Sequence, residues 1–306
     1  MLQKTLVPAE QLRLAKVNGG AFLLPPRLLL RLSGTDALRY LNGQITRDLS
    51  RAFPGHALSA CILTPKGKLC ASLLIWREKD DLLVESDPLL EEALIARLER
   101  YIVADDVSVV PEPPRQLIHV FGKLAEFEPW VSFPGIRANR LGVPGIDLTK
   151  DTPGVESLPF FDHTVVERLR IEAGIPVWGL ELSEETLPPE AGLDRTHIDY
   201  DRGCYPGQET ISRLKSIGKV NRLLCLLTAP HKATIAPGHD IVTEEGAIVG
   251  TITSVTPQII EESAIPFSLA LAYLKRSVVE GDLPIYALDP LTGGKTQLSI
   301  TQAISS

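Results

Sequence analysis

Short apolar runs, broken by glycine, proline and charge, divide the chain into elements of both kinds. Leu28-Leu29-Leu30-Arg31-Leu32 reads as a buried strand, and Ser33-Gly34-Thr35-Asp36 offers the turn and capping chemistry that starts a helix at Ala37-Leu38-Arg39-Tyr40-Leu41. Cys61-Ile62-Leu63 and the run from Leu69 to Trp76 flank Thr64-Pro65-Lys66-Gly67, the pattern of a β-hairpin. A turn symmetric about Pro65-Lys66 would set Cys61 opposite Cys70. Two such thiols fit a pair of small apolar strand residues better than a redox couple.

Asp87 and Pro88 form an N-cap and first-turn pair, and Leu90, Leu94 and Leu98 recur on one face as far as Tyr101-Ile102. This is the strongest helical pattern in the chain. Pro111-Glu112-Pro113-Pro114 interrupts it, and the region to about Gly154 holds short strand-like runs such as Leu117-Ile118-His119-Val120-Phe121. Asp162 is placed to cap a second helix carrying Val165, Val166 and Leu169, which stops near Gly174. From Val220 the texture changes. Leu223–Leu227, Asp240–Thr243, Ala247–Val255 and Leu269–Leu274 are short β-rich runs separated by turns, as in a small β-barrel. The pattern predicts an α+β architecture that ends in an all-β domain.

Composition narrows the setting. A chain of 306 residues with 44% hydrophobic content buries a large core and suggests two or three domains. A net charge of −7 and a pI near 5.5 argue against a general nucleic-acid or membrane-surface binder. Four scattered cysteines (Cys61, Cys70, Cys204 and Cys225) do not make a secreted disulfide scaffold. No run of about 18 apolar residues is present, and Met1-Leu2-Gln3-Lys4 lacks a hydrophobic signal core. The expected location is cytoplasmic.

Candidate chemistry concentrates in Arg202-Gly203-Cys204-Tyr205-Pro206-Gly207-Gln208-Glu209. Glycines on either side of Cys204-Tyr205-Pro206 permit positive φ and close backbone approach, so a thiol can be presented at a turn. Glu209-Thr210-Ile211-Ser212-Arg213-Leu214-Lys215 can begin a helix facing that loop, and Arg202 with a helix N-terminus favours the thiolate form. The residues alone leave two readings open, a reactive thiol or a small buried hydrophobe. Arg202, Arg213, Lys215, Lys219 and Arg222 lie in a segment whose only acid is Glu209, which faces either an anion or simply solvent. Arg170, near the end of its helix, could fork onto a ligand carboxylate or pair with Glu167 or Glu172.

Other chemistry is missing. There is no nucleotide-binding glycine loop, His-Glu-x-x-His, Gly-x-Ser-x-Gly or Cys-x-x-Cys. His56, His119, His163, His197, His231 and His239 are widely spaced, so no metal site is expected, and Cys204 alone cannot hold an iron–sulfur cluster.

The 202–209 segment resembles the Lys-Gly-Cys-aromatic-x-Gly-Gln-Glu signature of the YgfZ proteins, folate-binding relatives of the glycine-cleavage T-protein. The resemblance extends to Leu32-Ser33-Gly34-Thr35-Asp36-Ala37, Leu41-Asn42-Gly43-Gln44-Ile45-Thr46-Arg47-Asp48, Thr64-Pro65-Lys66-Gly67-Lys68, and Tyr101 with Asp105-Asp106-Val107. Leu169-Arg170-Ile171-Glu172-Ala173-Gly174 and Leu187-Pro188-Pro189-Glu190-Ala191-Gly192-Leu193 look like segments shared with the T-protein. It implies a T-protein-like ring of three domains around a central opening. Residues 1–50 and 150–218 would form a discontinuous folate-binding domain, 51–149 a second α+β domain, and 219–306 a β-barrel. By the same resemblance tetrahydrofolate would be the ligand, touched by Asn42, Gln44, Arg170, Arg202, Tyr205, Gln208, Glu209 and Arg213, with the folate tail on Arg170. Cys204 would be the reactive residue of an accessory protein for iron–sulfur protein assembly or repair, with assembly or client proteins as partners and tRNA modification as an associated process.

Departures separate the relatives. The T-protein's Gly-Gly-x-x-Asp-Asp corresponds to Lys66-Gly67-Lys68-Leu69-Cys70-Ala71, which carries neither carboxylate for work on an amine. Its Gly-Tyr-Thr-Gly-Glu aligns with Gly142-Val143-Pro144-Gly145-Ile146, and Ile146 cannot hydrogen-bond a pterin. Arg202, in place of the customary lysine, excludes Schiff-base chemistry there. The chain is therefore not expected to be a glycine-cleavage aminomethyltransferase. A one-carbon transferase and a binding module without chemistry, in which Cys204 and Gln208-Glu209 only brace a loop between domains, remain the alternatives.

Overall fold

A computed structural model describes residues 8–304 except 128–129, 131, 217, 231–232 and 258–266; His231 lies outside the described residues. Helix α1 (Pro8–Asn18) and strand β1 (Gly20–Leu23) lead into β2 (Leu28–Ser33), α2 (Ala37–Gln44) and the hairpin of β3 (Leu58–Leu63) and β4 (Leu69–Glu78). With β5 (Asp81–Ser86), and with β6 (Ser108–Glu112) following α3 (Glu91–Glu99), these strands form a five-stranded sheet in the order β3-β4-β5-β2-β6. Strands β7 (Leu117–Phe121), β8 (Ile136–Arg137) and β9 (Gly145–Thr149) join β1 in a second sheet, ordered β1-β7-β9-β8, against which α1 and α4 (His163–Glu172) pack. After α5 (Gln208–Ser216) come β10 (Arg222–Pro230), β11 (Asp240–Val242), β12 (Ile248–Val255), β13 (Phe267–Lys275), α6 (Arg276–Gly281), β14 (Ile285–Leu288) and β15 (Lys295–Ala303). The six strands close a barrel in the order β10-β13-β12-β11-β14-β15.

Both faces of the five-stranded sheet are covered. Leu30, Leu32, Leu73, Ile75 and Val84 pack against Tyr40 and Leu41 of α2 and Leu94 and Leu98 of α3. On the other face, at the hairpin end, Cys61, Leu63 and Leu69 meet Leu182, Leu193, Ile198, Tyr205 and Ile211. Each leucine so enclosed contributes about 1.5–3 kcal/mol of burial. Helix α3 forms where the pattern places it. The Asp87 side chain accepts the Leu89 N–H at 3.0 Å, Pro88 sits in the first turn, and Leu90, Leu94 and Leu98 are all buried. Pro111 does not prevent β6 from forming, because β6 is an edge strand and needs no donor on its outer side.

Strand β2 lies between β5 and β6, while β7 and β9 pair beside β1. One expectation is corrected: Cys61 and Cys70 do not face each other. The register runs Leu63 to Leu69, then Ile62 to Ala71 and Cys61 to Ser72, so Cys70 is the extra residue of a β-bulge.

Candidate functional site

The Cys204 loop rests on the turn of the β3–β4 hairpin, backbone against backbone. Gly207 has φ +86°, and a Cβ there would lie 2.5 Å from the Thr64 carbonyl oxygen. Gly67, at φ +78°, would meet the Thr210 side chain at 2.9 Å. Only glycine allows this approach from both sides. Tyr205 anchors the loop from within, 7% exposed among Cys61, Leu63, Leu69, Ile198 and Ile211. Burial pushes its phenol up to about 12.

Arg202 fastens the other end. Its Nη1 donates to the carbonyls of Ile45 (2.9 Å) and Arg47 (2.5 Å), and its Nη2 to that of Asn42 (2.5 Å). These carbonyls lie at and just beyond the end of α2, where a helix leaves acceptors without partners. The guanidinium also stands over the Tyr205 ring at 5.4 Å. Burial holds it below its usual pKa, against the opposing charge of Asp48. Gln208 Nε2 reaches the Arg202 carbonyl at 3.4 Å. Just upstream, Thr46 Oγ1 donates to the His197 carbonyl at 2.6 Å, and Asp199 accepts from Arg47 Nε (3.2 Å) and the Asp48 N–H (3.0 Å). Between these anchors Cys204 is exposed and Gly203 has nothing within 4 Å of its would-be Cβ.

The structure thus gathers Asn42, Arg202, Cys204, Tyr205 and Gln208 at one place, Asn42 through its carbonyl. The Asn42 side chain is turned to the Leu49 N–H at 2.8 Å. Gln44 belongs to a neighbouring cluster, accepting from Arg97 Nη1 at 3.0 Å. Arg97 stands 4.1 Å over the Tyr101 ring and close to the half-buried Cys70, whose thiol burial pushes up while the guanidinium acts the other way. Glu209 and Arg213 are exposed on α5 and have no side-chain partner among the described residues. The other cations of the basic segment are occupied by protein. Lys215 lies 3.7 Å over Tyr200, Lys219 pairs with Glu280 at 3.0 Å, and Arg222 pairs with Glu190 at 3.0 Å.

Arg170 lies in a different cluster, with every donor used. Nε and Nη2 fork onto Glu167 at 2.9 and 2.6 Å, Nη1 meets the Ile175 carbonyl at 2.6 Å and Glu181 at 3.2 Å, and Nη2 also meets Ser254 Oγ at 2.8 Å. Ile146 is buried among Ala21, Val120 and Leu148. One cluster has no counterpart in the sequence reading. Arg140 forks onto Glu85 at 2.7 Å through both terminal nitrogens and holds Asp147 at 2.6 Å, while Asp147 also meets His119 Nδ1 at 2.7 Å. It joins the two sheets through β5, β7 and β9. Nothing in the spacing of these four residues signals it, because Arg140 lies in an irregular segment and its partners come from separate strands. Among the described residues no group of three or more His, Cys, Asp or Glu is placed to hold a metal ion, and no helix is long and apolar enough to cross a membrane.

No family model matches the chain. The tRNA-modifying protein YgfZ of Enterobacter sp. (strain 638) is 26% identical over 249 residues, covering 71% of this chain and 74% of the relative. The protein of the same name from Escherichia coli O157:H7 (strain EC4115 / EHEC) gives the same 26%, and that of Escherichia fergusonii 25%, each likewise over 249 residues. The crystal structure of glycine cleavage system aminomethyltransferase T from Bartonella henselae matches with a TM-score of 0.75 at 16% identity, covering 98% of this chain and 89% of that one. By sequence, then, the chain is similar to the YgfZ proteins, and by structure it has the α+β fold of aminomethyltransferase T, ending in a closed six-stranded barrel.

Proposed function

We propose that the protein is an accessory factor of the YgfZ type, supporting iron–sulfur protein assembly or repair and tRNA modification, with the Cys204 thiol as its reacting group. The observation that carries this reading is the mounting of Cys204. An exposed thiol sits in a loop held by Arg202 on three carbonyls, by the buried Tyr205 ring and by Gly207 against Thr64. The other cysteines are less accessible. Burial pushes the thiols of Cys61 and Cys225 up, the latter to about 12, which disfavours the nucleophilic form. The relatives' name, tRNA-modifying protein, supports the process.

Tetrahydrofolate enters through family resemblance, and Arg170, the residue expected to hold its tail, does not fit that role as it stands. Arg170 has no donor left, Ile146 is packed in an apolar cluster, and Cys70 and Ala71 replace the carboxylates. No step is therefore derived through folate.

Complementation tests the reading. In cells lacking the endogenous YgfZ protein, Cys204→Ala is expected to leave iron–sulfur enzyme activity and modified tRNA levels unrestored, whereas Cys70→Ala restores both. Full restoration by Cys204→Ala would remove the thiol role. The fold alone favours a second reading, an aminomethyl transferase, and turnover with a lipoylated carrier protein would establish it.

A further inference from the structure

We infer that Arg170 is an internal latch joining α4, the strap of residues 175–186 and the barrel, and that the protein has no carboxylate-binding subsite there. The inference concerns the folate part of the proposed function and stands whether or not Cys204 reacts.

A guanidinium has five N–H donors, and the five acceptors around Arg170 take all of them: two oxygens of Glu167, the Ile175 carbonyl, one oxygen of Glu181, and Ser254 Oγ. Two carboxylates already share this one cation, so an incoming ligand carboxylate would meet a site of net negative charge. To bind, it must displace one of them. The Glu181 side chain is 0% exposed and that of Arg170 8%, and only Glu167, at 24%, has water within reach. Glu181 is also held elsewhere, since its Oε1 accepts from Ser254 Oγ at 2.5 Å, its Oε2 from the Val177 N–H at 3.1 Å, and its carbonyl from the Tyr273 hydroxyl at 3.0 Å. Pulling Arg170 away would leave a buried carboxylate without its cation.

Ser254 reaches this cluster because of a bulge. In β12, Ile252 pairs with Ala272 but Ser254 pairs with Leu271, so Thr253 is the extra residue. Ile252 and Ala272 point into the barrel, whereas Leu271 and Tyr273 lie on its outer face against Ile171 of α4. Cross-strand partners share a face, so the bulge turns Ser254 outward onto the same surface. From Glu181 the strap runs on to Thr186, whose carbonyl accepts the Leu69 N–H at 2.9 Å, and to Glu185, which pairs with Lys68. The latch therefore ends beside the turn of the hairpin on which the Cys204 loop rests. The same groups that would compete with a ligand tail are the ones that hold the strap.

Two measurements on the full chain test this. Calorimetry compares tetrahydrofolate with tetrahydropteroate, which lacks the glutamate. Affinities within about twofold of each other, or no heat from either, are expected, because the tail finds no partner at Arg170; no heat from either would separately remove folate from the proposed function. A tenfold or greater advantage for tetrahydrofolate, abolished in Arg170→Gln, would overturn the inference. Ser254→Ala, a small truncation, tests the latch, with amide exchange at Val177, Glu181 and Leu182 expected to rise about tenfold or more as the strap loosens. Unchanged exchange at these amides would overturn the latch.

Discussion

Gly207 and Thr64 touch where neither can give way: the glycine, at φ +86°, brings its α-carbon so close that a Cβ would sit 2.5 Å from the Thr64 carbonyl oxygen. Gly207→Ala therefore meets both a left-handed backbone and a backbone clash. We predict a loss of about 2 kcal/mol or more, read as a drop in Tm. Gly203→Ala, with nothing within 4 Å of its Cβ, is expected to stay within about 0.5 kcal/mol of the parent. Equal effects at the two glycines would mean that the hairpin turn does not seat the loop.

Arg202 binds carbonyls, which a lysine can also do but not three at once from a planar fork. Arg202→Lys is expected to cost about 1–2 kcal/mol, and Arg202→Ala more. Urea unfolding measures the loss, and iodoacetamide labelling of Cys204 follows the accompanying release of the loop.

Arg140 neutralises two buried acids. Arg140→Met leaves buried Asp147 with His119 as its remaining partner and Glu85 with Arg27 alone, at 3.2 Å, an expected loss of about 3–5 kcal/mol at pH 7. Burial works to raise the Asp147 pKa, but Arg140, with His119, more than offsets it and holds the acid below its usual range. Without the arginine only His119 is left to oppose burial, so the Asp147 pKa is expected to rise. Denaturation of the variant should therefore show part of the loss recovered as pH falls from neutrality, opposite in sign to the parent.

Two groups contribute distinct windows to the acid limb of the parent's stability. Arg115 and Arg31 hold Glu78 near a pKa of about 2, so its contribution is present above the ordinary glutamate value and fades as pH falls from about 4.5 towards 2. Glu78 is about one-third exposed, so solvent screening limits the contribution to about 1 kcal/mol. Burial, helped by Arg47, pushes His197 down to about 4, so the unfolded chain takes up this proton first and stability falls from about pH 6.5 to 4. Glu78→Gln should flatten the lower window and His197→Gln the upper one, in urea midpoints measured across pH 2–7.

Elements with a strong hydrophobic period were legible from the sequence. Leu90, Leu94 and Leu98 mark α3, and the runs around Thr64-Pro65-Lys66-Gly67 mark the hairpin. Strand β15 was not, because of its nine residues only Leu298 is buried, which leaves too little apolar signal to count. The misplacement of Cys70 and the unforeseen outward turn of Ser254 share a cause. Cys70 and Ser254 each sit at a single-residue register shift, and a period of two cannot reveal where a strand gains a residue. For Arg170 the sequence leaves pairing with Glu167 as one open reading, but its other partners were not legible, since Ser254 lies 84 positions away and Glu181 in an irregular strap. The loop itself was readable because its glycines, thiol and arginine are consecutive.

The latch also imposes an order of assembly. Synthesis delivers the N-terminal sheets first, but Ser254 belongs to the barrel, and so does the neighbourhood of Ile304, whose side chain fills the spaces beside Gly174 and Gly192. Until β12 has been made, Arg170 and Glu181 lack their Ser254 partner. The strap beside the thiol loop is thus tied to a stretch of chain that synthesis delivers after it.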